Sequence, residues 1–457
     1  MDLKEHQDGE SARCLTGAPG GAIFKVAVTT LGCKVNQCES AGITAAIAAR
    51  GMALVPFEAE ADCYIINTCT VTGKTDSQSR QLIRRAIRRN PAALILVTGC
   101  YAQRAPEEIV RIPGVRIVAG NAEKATLIDL IEQAATDPGP QVRVGDIAGE
   151  KGFATPGATV FPEHTRAFLK IQDGCDAFCT YCIVPAARGR SRSLPEAEVA
   201  QRISALAGQG FREVVLTGIH LGVYGRDLTP PGDLTALVQK IAAARPVERL
   251  RLSSIEPREV TDALLALMDR PGILCRHLHI PLQSGDDGIL AAMHRNYDRV
   301  FFRNLIVKIR GSLPDLAIGI DVMTGFPGET DAAFGNTLQL VEELPIAYLH
   351  VFPYSQRPGT PAAELPNQIS EEEKKRRALL LRKLGTAKRR AFAEPFLGRE
   401  LTVLIEGKEE AATGLFTGFS DNYIPVAVRG NVDANQIVRV RPQSFRNGRL
   451  LAEVIHG

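Results

Sequence analysis

Three cysteines near the middle of the chain carry the strongest chemical signal in the sequence. Cys175, Cys179 and Cys182 lie together in the run CDAFCTYC. Thiolates are the usual ligands of iron–sulfur clusters, and three of them so close together can hold three corners of a cubane cluster. A set of only three leaves one iron open, as catalytic metal sites keep one position free. Zinc is the alternative, but zinc favours four ligands in paired halves, and no fourth ligand lies close in sequence.

A second set of cysteines is spread over the N-terminal part of the chain. Cys33, Cys69 and Cys100 each follow an apolar stretch that predicts a β-strand. Because the carboxyl ends of parallel strands line one crevice of an open α/β sheet, the three thiols are expected to meet there. This placement predicts a second three-cysteine cluster. Three unrelated buried cysteines are the alternative, since free cysteine is among the most buried residue types.

Strands that alternate with helices must position both cysteine sets. In the N-terminal part this alternation implies a parallel sheet. From Arg166 a second alternation contains six strands, which fit an incomplete TIM-type (βα)6 barrel with Cys175 directly after its first strand, at the end where such barrels do chemistry. The N-terminal strands are predicted at 25–31, 62–68, 93–99 and 115–120, with helices near 38–50, 77–90 and 121–134. The barrel strands are predicted at 166–172, 213–219, 249–254, 276–281, 316–321 and 347–352.

Composition divides the chain into five segments. The polar, Gly-rich start predicts a disordered tail, and a later Gly- and Pro-rich stretch predicts a linker. The last part changes to short strands with Gly turns, which is typical of a small antiparallel β-barrel. The predicted segments are a tail at 1–22, an N-terminal α/β cluster domain at 23–137, a linker at 138–160, the incomplete barrel at 161–393 and the C-terminal β-barrel at 394–457.

The bulk composition excludes several classes of protein. The chain has 457 residues, of which 45% are hydrophobic, so it has room for two or three domains with buried cores. A net charge of only +3 means that any nucleic-acid partner must meet a local basic surface. The chain contains neither a long apolar run nor a secretory signal pattern. We therefore expect a cytoplasmic protein without a membrane partner, whose ten cysteines are metal ligands or buried thiols.

One predicted helix offers such a basic surface. Arg80, Arg84 and Arg88 recur every four residues, and no acidic residue lies between Asp76 and Glu107. Like charges at this spacing destabilise a helix by about 0.2–0.5 kcal/mol per pair, a cost that bound phosphates would relieve. The three arginines are therefore candidate RNA contacts, and a solvated basic face is the alternative.

The motifs around the cysteines resemble those of the methylthiotransferase family of radical S-adenosylmethionine (SAM) enzymes. The spacing C-x3-C-x2-C after a first barrel strand, with Tyr181 before the last cysteine, is similar to the superfamily motif. TLGCKVNQCES, NTCTVTGKTD, GCYAQ and CDAFCTYCIVPAARGRSRS resemble the methylthiotransferases, and the likeness runs from about residue 25 to 457. The KVNQ and RGRSRS runs are most similar to the branch that acts on threonylcarbamoyladenosine in tRNA. The alternatives are the isopentenyladenosine branch and a branch that modifies a ribosomal-protein aspartate.

The resemblance implies cofactors, partners and a reaction. It implies one 4Fe–4S cluster on Cys33, Cys69 and Cys100, and a second one, which binds SAM, on the other three cysteines. It implies that a methylthio group replaces the hydrogen on carbon 2 of the adenine next to the tRNA anticodon. It further implies a TRAM-like C-terminal barrel that binds RNA, and we expect a monomer with an electron donor such as a flavodoxin or ferredoxin. A non-catalytic iron–sulfur protein that binds RNA or transfers electrons is the alternative from another class.

Polar residues that follow the barrel strands are candidate SAM contacts. Gly218 lies where a backbone could approach the methionine end, Ser254 and Glu256 could bind the ribose hydroxyls, and Gln283 could make a further polar contact. Tyr181 belongs to the same candidate set. The alternative for each polar residue is an ordinary turn or helix cap, because such residues are common at strand–helix junctions.

Three further features are candidates for a functional role. Arg188, Arg190 and Arg192 form a second basic run, which could bind an anticodon loop or the carboxylate of a threonylcarbamoyl group, since arginine binds carboxylates bidentately. Cys38 stands where the family would be expected to have an aromatic residue. It could compete for iron, or it could be a buried thiol. Phe416, Phe419 and Tyr423 in the C-terminal barrel are candidates for base stacking or for packing.

Overall fold

The N-terminal part of the chain is an open parallel sheet with helices on both faces. The computed structural model describes residues 23–134, 137, 139–153, 165–270, 272–407 and 414–455, so the predicted tail lies outside the described residues. The elements are β1 (Lys25–Thr30), α1 (Lys34–Ala49), β2 (Ala53–Val55), β3 (Cys63–Thr68), α2 (Gly73–Arg89), β4 (Leu94–Gly99), α3 (Cys100–Arg104), α4 (Pro106–Val110), β5 (Val115–Ala119), α5 (Leu127–Gln133) and β6 (Gln141–Arg143). The strand order is β2-β1-β3-β4-β5-β6, and every pairing is parallel.

Apolar burial on both faces explains this sheet. All six residues of β3 are buried, and its side chains alternate between two apolar clusters. Tyr64 and Ile66 pack towards α2, whereas Cys63 and Ile65 pack towards α1 and α5. A strand buried on both faces favours continuous apolar residues, which is why the sequence pattern predicted these strands correctly.

The middle of the chain forms the incomplete barrel. Its elements are β7 (Arg166–Lys170), β8 (Gln172–Asp173), α6 (Val184–Arg188), β9 (Arg192–Ser193), α7 (Glu196–Gly208), β10 (Glu213–Thr217), α8 (Leu234–Ala244), β11 (Arg249–Leu252), α9 (Asp262–Asp269), β12 (His277–His279), α10 (Asp287–Ala292), α11 (Arg299–Ser312), β13 (Ala317–Thr324), α12 (Asp331–Glu343) and β14 (Tyr348–Pro353). Two parallel sheets, β7-β10-β11 and β12-β13-β14, are joined by parallel bridges from Leu250 to Leu274 and from Ser254 to His279. Among the described strands no pairing joins β7 to β14, so the barrel has an open side. Helix α1 packs at the β7 edge, where the Lys170 N–H donates to Cys38 Sγ at 3.4 Å.

A long helix leads from the incomplete barrel to a closed β-barrel. The elements are α13 (Glu371–Ala393), β15 (Leu401–Ile405), β16 (Phe416–Ser420), β17 (Pro425–Arg429), β18 (Ile437–Arg446) and β19 (Arg449–Val454). The strand order β15-β16-β17-β19-β18 closes on itself. The pairing of β17 with β19 is parallel, so the predicted antiparallel barrel has one parallel seam. Arg249 donates to the carbonyls of Thr402 at 2.7 Å and Phe419 at 3.1 Å, which fixes this barrel against β11.

The structure confirms the fold class and adds details that the pattern missed. The stretch predicted as a linker at 138–160 contains β6, a sixth strand of the N-terminal sheet. Three residues among Gly and Pro are too few to show a strand periodicity. Helix α1 begins at Lys34 instead of residue 38, because Cys33 already acts as its N-cap. Across the described residues, no helix combines the length and apolar character that a membrane crossing requires.

Candidate active site

The three N-terminal cysteines meet at the carboxyl edge of the parallel sheet. Cys33 is the last residue of the loop between β1 and α1. Cys69 follows β3, and Cys100 begins α3 directly after β4. Gly32, the residue before Cys33, lies against Cys69. A Cβ at this glycine would come within 2.7 Å of the Cys69 Cβ. Cys33 is the N-cap residue of α1, and its side chain makes no capping hydrogen bond. The structure therefore brings this predicted set together.

Hydrogen bonds hold the loops that carry these thiols. Asn36 donates to the Leu31 carbonyl at 2.7 Å and to the Thr68 carbonyl at 3.0 Å, which ties the Cys33 turn to the end of β3. Asn121 lies 3.9 Å from Cys100 Sγ and donates to the Ala187 carbonyl at 2.7 Å. Burial raises the pKa of Cys69 to about 11, so a buried thiolate here needs positive charge beside it.

The second cysteine set lies on the loop between β8 and α6. The Cys182 N–H donates to the Cys179 carbonyl at 2.9 Å, which folds the loop back on itself. Cys175 Sγ lies 3.5 Å from His220 Nδ1, and Arg295 donates to Cys179 Sγ at 3.3 Å. The loop is therefore held from both sides of the barrel mouth.

The spacing of the thiols distinguishes a cluster from a single metal ion. Within the described part of the chain, three ligand atoms approach within 4.8 Å of one another only at His279, Asp321 and His350. Sulfurs bound tetrahedrally to one zinc ion would lie about 3.8 Å apart, given Zn–S bonds of about 2.3 Å. Neither cysteine set is such a group among the described residues, and the cysteines of both are free of disulfides. The residues present thus fit iron–sulfur clusters better than zinc.

A cavity of about 540 Å³ opens beside the Cys175 loop. Its lining includes Cys179, His220, Glu256, Glu259 and Arg295. His220 Nε2 lies 2.7 Å from Glu259, and Arg295 is ion-paired with Glu256. Burial raises the pKa of Glu256, although Arg295 and His220 oppose the effect. The volume and the few convergent polar groups match a site for a ligand of the size of SAM.

One of the predicted SAM contacts lines this cavity, and the others do not. Glu256 lines it. Gly218 lies against β8, where a Cβ would come within 2.9 Å of Gln172, so its lack of a side chain serves close packing. Tyr181 is half-buried and packs on an apolar cluster at the barrel mouth. Ser254 and Gln283 are not among the lining residues.

Ser254 takes part in a polar chain inside the barrel. Its hydroxyl lies 2.7 Å from His279 Nδ1, and His279 Nε2 lies 3.2 Å from Asp321. His350 Nδ1 contacts the same Asp321 oxygen at 3.3 Å. Burial would raise the pKa of Asp321, but hydrogen bonds from both histidines hold it well below its ordinary value. Ser254 is thus occupied within the barrel.

A buried ionic network joins the two parts of the protein that carry the cysteine sets. Arg188 hydrogen-bonds to both oxygens of Glu39 at 2.9 and 3.1 Å and to both oxygens of Asp173 at 3.0 and 3.2 Å. Lys170 pairs with the same carboxylates at 2.9 and 2.8 Å, and Lys124 pairs with Glu39. Glu39 and Lys124 belong to the N-terminal part, whereas Lys170, Asp173 and Arg188 belong to the barrel. The network therefore fixes the two parts against each other.

This network corrects the expectation for two arginines. Arg188 is only 1% exposed, and its guanidinium is saturated by Glu39, Asp173 and Asn36. Arg192 is also buried and donates to the Arg188 carbonyl at 3.0 Å. Neither side chain is exposed to RNA or to a substrate carboxylate, because both are taken up by the interface. A charge pattern in sequence does not reveal buried partners more than a hundred residues away.

The remaining predicted RNA contacts lie on the surface. Arg84 and Arg88 are exposed on α2, whereas Arg80 is half-buried and donates to the Tyr101 hydroxyl at 2.8 Å. Arg190 is 60% exposed beside Asp176, and its guanidinium lies 5.3 Å from the ring of Phe178, which is itself exposed. An exposed arginine and phenylalanine on the Cys175 loop offer charge and a stacking face to a nucleic acid.

Other cysteines and aromatics are structural. Cys38 is fully buried, and burial raises its pKa to about 11. Cys63 and Cys275 are buried as well. Phe419 and Tyr423 stack on each other at 4.8 Å and lie under Arg166, at the contact between the two barrels. They pack within the protein.

Sequence patterns missed several site residues. Arg295 and Glu259 line the cavity, yet neither belongs to a motif with a spacing that would single it out. Glu39, Lys124 and Asp173 form the buried network, but in sequence they read as ordinary charges on helices and turns. Glu39 and Asp173 lie beside the cysteine motifs, which was their only signal, whereas Lys124 had none.

Family models match two parts of the chain. Residues 25–120 match the model described as Uncharacterized protein family UPF0004, and residues 169–341 match the Radical SAM superfamily. These ranges contain the first and second cysteine sets, respectively. A radical SAM methyltransferase, TsrM from Kitasatospora setae, covers 74% of this chain and 75% of its own, with a TM-score of 0.56 at 15% identity, which shows a shared fold.

Curated relatives cover most of this chain. The threonylcarbamoyladenosine tRNA methylthiotransferase MtaB of Bacillus subtilis is 41% identical over 91% of this chain and 93% of its own. The protein of the same name from Aquifex aeolicus is 38% identical over 91% of this chain and 100% of its own. The tRNA-2-methylthio-N(6)-dimethylallyladenosine synthase of Carboxydothermus hydrogenoformans is 33% identical over 91% and 95%. With this similarity along both cysteine sets, the chain belongs to the methylthiotransferase family of radical SAM proteins.

Proposed function

We propose that this protein is a tRNA methylthiotransferase that adds a 2-methylthio group to threonylcarbamoyladenosine next to the anticodon. The observation that carries the proposal is one buried ionic network, which joins the domain that carries Cys33, Cys69 and Cys100 to the barrel that carries the other three cysteines. Relatives that are 41% and 38% identical over most of the chain carry the name of this activity. Relatives named for dimethylallyladenosine are less similar, at 33% identity.

The chain's residues would hold two 4Fe–4S clusters and SAM. Cys33, Cys69 and Cys100 would bind one cluster, and Cys175, Cys179 and Cys182 would bind the other. When bound, these groups supply the one-electron chemistry and the sulfur and methyl groups of the product. SAM would occupy the 540 Å³ cavity, with Glu256 as a polar contact.

The protein side chains contribute positioning and charge. Each triad offers three thiolates and thereby leaves one iron open for a further ligand. Arg295 bridges Cys179 and Glu256, so it holds the cysteine loop in register with the cavity wall. Arg188 places a buried positive charge near Cys33 and Cys69, which favours their thiolate forms. These residues organise the site before the substrate arrives.

The tRNA would lie across both parts of the protein. Arg84 and Arg88 on α2 would contact phosphates, with Arg80 at the buried end of the row. Arg190 and Phe178 would meet the anticodon loop at the barrel mouth. The TRAM-like barrel would add further RNA contacts. A base splayed out of the loop could then enter the barrel, as RNA-reading proteins usually require.

Partners and domain limits complete the proposal. A flavodoxin or ferredoxin would donate the electron, and the protein would act as a monomer in the cytoplasm, where its tRNA substrate is found. The N-terminal cluster domain would extend beyond the sequence-based limit at 137 to include β6. The incomplete barrel and the C-terminal barrel would keep their predicted limits near residues 393 and 394.

The test is mass spectrometry of tRNA nucleosides after anaerobic reaction of reconstituted protein with SAM, a reductant and tRNA that bears threonylcarbamoyladenosine. We expect a methylthio nucleoside that is lost in Cys175→Ala and in Cys69→Ala but kept in the matched control Cys275→Ala. A product only with isopentenyladenosine tRNA would move the protein to the other branch. Cleavage of SAM without nucleoside modification would leave the class intact and remove the tRNA substrate. No cleavage of SAM by fully loaded protein would favour a non-catalytic iron–sulfur protein.

A further inference from the structure

Two histidines and an aspartate face one another across three neighbouring strands of the incomplete barrel. His279 lies on β12, Asp321 on β13 and His350 on β14. The strands pair in this order, and Asp321 lies directly opposite His350 in the parallel register. On each strand the preceding residue packs into the apolar core between the strands and the outer helices. Because side chains alternate along a strand, the three polar side chains point the other way, into the interior of the barrel.

The ligand atoms of this His–Asp–His group are close enough to share one metal ion. His279 Nε2 lies 3.2 Å from Asp321 Oδ1, and His350 Nδ1 lies 3.3 Å from the same oxygen. Two ligands bound tetrahedrally to one ion at about 2.0–2.1 Å lie about 3.3–3.4 Å apart. The three atoms all lie within 4.8 Å of one another, which in the described part of the chain is true of this group alone. A small movement of the exposed His350 ring would complete the coordination triangle.

The Ser254 hydroxyl orients His279 for this role. It lies 2.7 Å from Nδ1, the ring nitrogen that does not face Asp321. Nε2 is buried and has no well-aligned hydrogen-bond partner among the described residues, although the Asp321 oxygen is 3.2 Å away. When Nδ1 donates to Ser254, Nε2 directs its lone pair at the carboxylate, and a cation between the two would relieve their repulsion. Histidines that bind metals are typically held in this way, with the other ring nitrogen donating to an acceptor.

The donor atoms indicate the kind of ion. Two imidazoles and one carboxylate are typical ligands of zinc and iron(II), whereas Ca²⁺ and Mg²⁺ prefer oxygen ligands. The pKa of Asp321 lies well below its ordinary value, so its side chain is a carboxylate at neutral pH. Three protein ligands leave at least one position for water or an anionic oxygen ligand, as in catalytic rather than structural zinc sites.

An ion could reach this group from the solvent. The His350 side chain is 50% exposed, and its ring lies 6.2 Å from that of Phe352, which is exposed as well. His350 also lines a cavity of about 200 Å³ together with Tyr348 and Tyr423. The group is therefore buried at His279 and accessible at His350, which gives a metal ion an entry path.

We propose that His279, Asp321 and His350 form a binding site for one divalent transition-metal ion, such as Zn²⁺, in the interior of the incomplete barrel. Ser254 holds His279 in the orientation that binds the ion. The site contains no cysteine and is separate from both cysteine sets. It does not depend on the proposed function, because its readout is bound metal and not a methylthio nucleoside.

The test measures zinc and iron in the same samples. The full chain with both clusters reconstituted would be dialysed anaerobically against a zinc buffer and analysed by inductively coupled plasma mass spectrometry. The variants are His350→Ala, Asp321→Asn, Ser254→Ala and the matched control His294→Ala, which alters another exposed histidine. Zinc K-edge X-ray absorption identifies the atoms bound to zinc, and the iron content of each variant shows whether its clusters are intact.

We expect about one zinc ion per chain beside about eight iron ions, with nitrogen or oxygen at about 2.0 Å from zinc and no sulfur at about 2.3 Å. His350→Ala and Asp321→Asn should lose the zinc at full iron content, and His294→Ala should keep it. Ser254→Ala should bind zinc about 10- to 100-fold more weakly. Sulfur bound to the zinc, zinc retained by both ligand variants, or no zinc in the fully loaded wild-type protein would overturn the proposal.

Discussion

Replacing Arg188 with methionine tests whether the buried network holds the two cluster-bearing parts together. Arg188 makes five hydrogen bonds to Glu39, Asp173 and Asn36. Removing one partner of a buried ion pair costs about 3–5 kcal/mol, because the other partners stay buried with less compensation. Lys124 and Lys170 remain beside the two carboxylates, so the cost should lie at the lower end, at about 3 kcal/mol.

Hydrogen exchange of the α1 amides measures the opening of this interface. A loss of about 3 kcal/mol corresponds to roughly a 100-fold lower protection factor for α1, given about 1.4 kcal/mol for each factor of ten. The matched control is Arg190→Met, in which the lost side chain is 60% exposed and pairs with exposed Asp176. That change should cost less than about 0.5 kcal/mol.

Equal protection of α1 in Arg188→Met and Arg190→Met would refute this account of the interface. A second readout is the iron bound by the N-terminal cluster. Burial raises the pKa of Cys33 and of Cys69, and Arg188 is the positive charge that opposes this rise. Arg188→Met should therefore lose iron from this cluster faster than Arg190→Met when both are challenged with a chelator.

Three further predictions follow from individual residues. Cys38→Ala should retain the full iron content of about eight per chain by colorimetric assay, because this thiol is buried against Lys170 and does not reach a cluster. Arg84→Ala should weaken tRNA binding and reduce the slope of log Kd against log salt by about 1, whereas an unchanged slope would exclude a phosphate contact. Burial would raise the pKa of Glu39 and Asp173, but Arg188 and the buried lysines hold both pKa values well below the ordinary range. Their stabilisation should thus be complete above about pH 4 and be lost below it, at up to about 1.4 kcal/mol per pH unit for each carboxylate in acid titrations of interface stability.

Much of the fold was predictable because its signals are local. The strands of the N-terminal sheet and of the incomplete barrel are apolar runs followed by turns. The predicted β3 and β4 differ from the structure by at most one residue at each end. The C-terminal barrel was also predicted, from a change to short strands. Its parallel seam between β17 and β19 was not, because two strands far apart in sequence pair there only once the barrel closes.

The sequence by itself determined where the candidate cluster ligands lie. A cysteine directly after a parallel strand must lie at the carboxyl edge of the sheet, so the positions of Cys33, Cys69 and Cys100 followed from topology alone. The same holds for the Cys175 loop at the barrel mouth. These conclusions depend only on residue type, spacing and strand direction.

Only the tertiary structure decided which charged residues serve the interior. Arg188 and Glu39 are 149 residues apart, and Lys170 and Glu39 are 131 apart, so no sequence window contains their pairing. Arg188 and Arg190 are indistinguishable by pattern, yet one is buried in a network and the other is exposed. The physical reason is that burial sets the energetic contribution of a charged side chain, and burial between domains depends on how the domains pack.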